Sequence, residues 1–75
     1  MRYLITLELQ TPNNSLAYVE QLAGFDDLEI DIDRGLVLIS PKRNLYAIYV
    51  LGNLDPAGLM SAQAAVKGVW CDRQI

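Results

Sequence analysis

From Tyr3 to Leu9 the side chains alternate, with Tyr3, Ile5, Leu7 and Leu9 on one face and Leu4, Thr6 and Glu8 on the other. A period of two is a strand signal, so the chain opens as part of a sheet. Thr11-Pro12-Asn13-Asn14 breaks the alternation with turn and cap chemistry. Leu16, Val19, Leu22 and Ala23 then follow at helical spacing up to Gly24, which predicts a helix from Ser15 to Ala23.

Apolar and acidic residues alternate from Leu28 to Asp33, and Asp33-Arg34-Gly35 signals a turn or bulge. Leu36-Val37-Leu38-Ile39 is a fully apolar run. Residues 28 to 33 form either a strand of their own or the start of that next one. Ser40 to Asn44 is a second turn, Leu45 to Leu51 is a long apolar, aromatic-rich strand, and Gly52-Asn53 ends it. Asp55-Pro56 is a helix start, with a carboxylate at the cap and proline preset at the first helical position. That helix is expected to reach Val66, presenting Leu59, Met60, Ala62 and Val66, with Gly68 separating it from a final strand, Val69 to Gln74. Strand, helix, two or three strands, helix and strand wrap naturally as split βαβ units. The expected fold is α+β, a ferredoxin-like βαββαβ sandwich with both helices on one face of an antiparallel sheet.

The length of 75 residues allows one domain, residues 1–75, and one core. A chain of this size buries only about 60% of the surface its unfolded form exposes. An apolar fraction of 52% suffices for folding, and a charged fraction of 20% is too low for a disordered tail. The net charge of −3 is the wrong sign for a protein that works by neutralising phosphates. Cys71 is the single cysteine, so no internal disulfide forms, which suits a reducing compartment. The N-terminal apolar run is short and soon meets Glu8, unlike a secretory signal. No stretch approaches the roughly 18 apolar residues of a membrane span. The expectation is a cytoplasmic protein with no membrane and no nucleic-acid partner.

Missing chemistry narrows the function further. The sequence has no histidine, removing the commonest general base and metal ligand. Ser15, Ser40 and Ser61 have no base partner, Cys71 has no imidazole to ionise it, and the glycines are scattered singly, so no phosphate loop exists. No catalytic residues, cofactor or metal are expected, and the chain is read as a non-enzyme. Asp26, Asp27, Glu29, Asp31 and Asp33 hold five of the nine acids. A calcium loop starting at Glu29 would put Arg34 where glycine is needed, and Ile30 and Ile32 favour a strand, so these carboxylates read as a solvated face. Lys42-Arg43 near Tyr46 and Tyr49 lacks the glycine of an RNA-reading strand, and the two tyrosines point to opposite faces.

Trp70 is the sequence's main candidate for a contact with a partner. In the final strand Val69, Cys71 and Arg73 share one face and Trp70 and Asp72 the other. If Val69 packs under the helices, Trp70 stands on the open face of the sheet. Leu4 and Thr6 would lie beside it, with either Tyr46, Ile48 and Val50 or Tyr49 next. Such a patch marks an interface. The alternative is an indole lying along a sheet edge or covering the second helix.

The opening Tyr3-Leu4-Ile5-Thr6-Leu7 resembles the first strand of the subtilisin-propeptide and proteinase-inhibitor family. Leu54-Asp55-Pro56-Ala57-Gly58-Leu59 and Val66-Lys67-Gly68-Val69-Trp70-Cys71-Asp72 are similar to its second helix and last strand. The resemblance implies a non-catalytic protein-binding module that docks its open sheet face, Trp70 included, on a subtilisin-like proteinase. It also implies a C-terminal tail of Asp72, Arg73, Gln74 and Ile75 in the substrate cleft. Residues 28 to 51 are longer and more acidic than that family's hairpin. Amino-acid-sensing regulatory (ACT) domains end in much the same way, which keeps a small-molecule sensor that self-associates as an alternative, beside a structural subunit of a larger assembly. Heavy-metal domains need a Cys-x-x-Cys after the first strand and acylphosphatases an arginine, and Gln10-Thr11-Pro12-Asn13 supplies neither.

Overall fold

The computed structural model describes residues 2–22, 24–25 and 28–71. The opening alternation becomes β1, Arg2–Glu8. Ser15 caps α1, Leu16–Glu20, its side-chain oxygen accepting the Tyr18 N–H at 3.2 Å. The acidic stretch contributes β2, Glu29–Ile30, followed by β3, Val37–Ser40, and β4, Leu45–Leu51. After α2, Pro56–Ala62, the chain closes with β5, Val66–Cys71.

All five strands form one antiparallel sheet in the order β2-β4-β1-β5, with β3 also paired to β4. β2 and β3 therefore occupy the same edge of β4 in succession, so within residues 28 to 33 only Glu29–Ile30 is strand, and it is separate from β3. Ile30 faces Val50 and Val37 faces Ala47, so the edge chain spends seven residues where β4 spends three. The four extra residues form an excursion that Asp31 organises. Its carboxylate accepts the Arg34 N–H at 3.3 Å and its carbonyl the Gly35 N–H at 3.0 Å.

The ferredoxin-like βαββαβ sandwich is corrected by this architecture. The domain is mostly strand, one five-stranded sheet with helices of only five and seven residues. α1 stops at Glu20 rather than Ala23, and α2 at Ala62 rather than Val66. The final strand starts at Val66 rather than Val69, because Val66 pairs with Leu7. Gly68 thus lies inside β5 instead of separating two elements.

Cross-strand partners share a face, and their identities explain where the core sits. Ile5, Ile48 and Val69 form one row, Tyr3, Val50 and Ile30 the next. On the same side, Val19 of α1, Leu59 of α2, Phe25 and Leu9 complete the cluster with Leu7 and Val66. Ile5, Leu7, Val19, Ile48 and Val50 are all fully buried. Each such side chain contributes about 1.5–3 kcal/mol relative to exposure. Gly24 turns the chain out of the first helical segment at φ +93, and a methyl there would meet Leu59 Cδ1 at 2.8 Å.

Candidate functional site

The opposite face of the sheet is where the molecule shows apolar surface. Its rows are Trp70, Leu4 and Tyr49, then Gly68, Thr6, Ala47 and Val37, then Glu8 and Leu45. Trp70 is 54% exposed, and Val37, Ile39 and Leu51 are exposed as well. Val69 turns inward against the core, so its neighbour Trp70 faces out.

The indole does not hang free. A methyl group on Gly68 would lie 2.2 Å from its Cη2 and 2.4 Å from its Cζ3, so the ring lies down on the bare glycine backbone. Thr6 Oγ1 is 3.0 Å from the same point and donates to the Gly68 carbonyl at 3.4 Å. At the β4 side of Trp70's own row, the 31–36 excursion folds over. The Arg34 guanidinium sits 4.3 Å from the centre of the Tyr49 ring, braced by Asp31 at 3.5 Å. Tyr49 is thereby partly roofed, while the Trp70 end stays uncovered by any described residue.

That uncovered end is a shallow groove of about 460 Å³ lined by Thr6, Glu8, Ile39, Arg43, Leu45, Lys67 and Trp70. A register shift between Thr6 and Leu7 makes Lys67 an extra residue in β5, and its Nζ reaches Glu8 at 3.8 Å. A bulge commonly re-aims a side chain in this way. Arg43 is carried by the β3–β4 turn, where Asn44 takes φ 55.

Of the interface residues expected from sequence, Trp70, Leu4 and Thr6 come together on this face. Tyr46 and Ile48 do not. Register places both toward the core, Ile48 fully buried and Tyr46 half-buried, with its hydroxyl accepting from Asn14 Nδ2 at 3.1 Å. A wholly apolar strand carries no alternation to reveal which side faces in, and pairing with β1 decides it. Tyr49, Ala47 and Leu45 take the positions assigned to them. Asp72, Arg73, Gln74 and Ile75 lie outside the described residues. Ile39, Arg43 and Lys67 were not expected at the site; only a bulge in β5, which no local pattern marks, brings Lys67 there.

Among the described residues no cluster of three or more His, Cys, Asp or Glu could hold a metal ion, and no helix is long and apolar enough to cross a membrane. Cys71 is exposed at the end of β5. Compared with protein-family models, curated proteins and solved structures, the chain matches none.

Proposed function

We propose that this chain is a non-catalytic protein-binding module that docks through the open face of its sheet, with Trp70 as the anchor. The observation that carries this is the half-exposed indole seated on Gly68, sharing a groove with exposed Ile39 on the face that also exposes Val37. Binding energy concentrates on aromatic anchors, and a ring already held in place loses less freedom when a partner covers it. The absence of histidine from the sequence supports a non-catalytic role. The lone cysteine suits a reducing compartment, and we place the chain in the cytoplasm.

The test is a pair of captures run side by side with wild-type protein and Trp70→Ala as bait, after circular dichroism has shown both folded. Partners retained by wild type and lost by the variant are expected. Identical partner sets on both baits would rule the face out. The sequence resemblance names one sharper partner, a subtilisin-like proteinase, and a titration of the purified chain against such an enzyme addresses it directly. Undiminished peptide cleavage at micromolar protein removes that partner and leaves the docking face standing.

A further inference from the structure

The groove beside Trp70 carries charge opposite to that of the molecule. The chain has a net charge of −3, yet Arg43 and Lys67, two of its six basic residues, stand on the groove rim. Arg43 is exposed, and its guanidinium makes no hydrogen bond or ion pair with any described residue. Lys67 is only loosely engaged. Its 3.8 Å contact with Glu8 joins two side chains that are 48% and 43% exposed, and such pairs are weak and screened. The acid Glu29 lies opposite Leu51, whereas the groove lies by Leu45 at the other end of β4. Among the described acids only Glu8 lines the groove, so with Arg43 and Lys67 its lining sums to a charge of +1.

We propose that the groove takes an extended segment of a partner protein that sets a large apolar side chain next to a carboxylate. The apolar group lies between the Trp70 indole and the aliphatic wall of Ile39 and Leu45, and the carboxylate lies on the planar fork of Arg43, which suits two parallel hydrogen bonds. Lys67 adds attraction from the opposite rim. This rests on the docking face proposed above and adds the chemistry of what docks. A nucleic-acid strand fits less well. Its bases need a series of aromatic platforms, and the groove offers one aromatic ring, two aliphatic side chains and the Glu8 carboxylate.

The experiment uses the intact chain and three fluorescein-labelled probes, read by anisotropy at low and at physiological salt. One peptide alternates leucine with glutamate, one alternates leucine with lysine, and the third probe is a single-stranded oligouridylate. Binding of the glutamate peptide alone, weakened roughly tenfold or more by Arg43→Glu and by added salt, is the expected result. Trp70→Ala should abolish it. Equal binding of both peptides, lost in Trp70→Ala, would keep the docking face and overturn the charge assignment. Preference for the oligonucleotide, or no binding by any probe, overturns the proposal as well. Because the paired captures use no peptide probe, they decide separately whether the face docks anything.

Discussion

Gly68 is the residue that shapes the open face. A methyl group there would meet two ring carbons of Trp70 at 2.2 and 2.4 Å, so the indole must swing away. The ring is half-exposed and has room to move, which keeps the folding cost of Gly68→Ala to about 1 kcal/mol. The optical effect should be larger: a red-shifted Trp70 emission that quenchers reach more easily. An unchanged emission spectrum would mean that the indole does not rest on the glycine. This contact was invisible in the sequence. A glycine after a helical stretch reads as a breaker, and only the pairing of Thr6 with Gly68 shows it inside a strand. The outward orientation of Trp70, by contrast, followed in the sequence from one condition, that Val69 packs inward, and the structure meets it. Tyr46 and Ile48 illustrate the opposite situation, since Leu45 to Leu51 is apolar on both sides and only its neighbour fixes which side turns in.

At the scale of elements, strands were easier to read than helices. β4 begins and ends where its sequence suggests because a polar turn and Gly52-Asn53 bound it sharply. Both helices end early, and with so few turns they depend on capping and on single buried anchors, Val19 and Leu59. Short helices have few internal hydrogen bonds to offset their nucleation cost. The two caps differ in kind. Ser15 accepts a bond from Tyr18 N, whereas the Asp55 side chain makes no cap hydrogen bond, although its sequence signature is the stronger one. Ser15→Ala should therefore lower stability by about 1 kcal/mol. Asp55→Ala should cost only a few tenths of that, near the level of an ordinary surface change. Urea midpoints of the two variants, with unchanged m values, check this. A larger loss in Asp55→Ala would show that the aspartate supports α2 through a contact other than a cap.

For the whole molecule, the decisive property is that, among the described residues, both helices pack on one side of the sheet and the other side is roofed only at Tyr49. The main core cluster lies on the helix side, while the other face leaves Trp70, Val37 and Ile39 in water. The sheet edges reinforce the asymmetry. One is broken by the 31–36 excursion and by the register shift between Leu38 and Ser40, which blunts strand addition there, while the β5 edge is interrupted by the bulge at Lys67. A 75-residue domain is expected to hold about 4–11 kcal/mol in total. Removing one fully buried side chain therefore takes a large share of it: Ile48→Ala should cost about 2–5 kcal/mol and leave a population unfolded at 37 °C. Ile39→Ser, at a position 51% exposed, should shift stability by less than about 0.5 kcal/mol. If Ile39 serves the groove, the same substitution should still weaken the leucine–glutamate peptide severalfold. Separation of the two effects, thermal stability lost only at Ile48 and binding lost at Ile39 without unfolding, would distinguish a face kept apolar for a partner from one that supports the fold. Should Ile39→Ser unfold the domain as readily as Ile48→Ala, the exposed face would belong to the core, and no partner would be needed to account for its apolar surface.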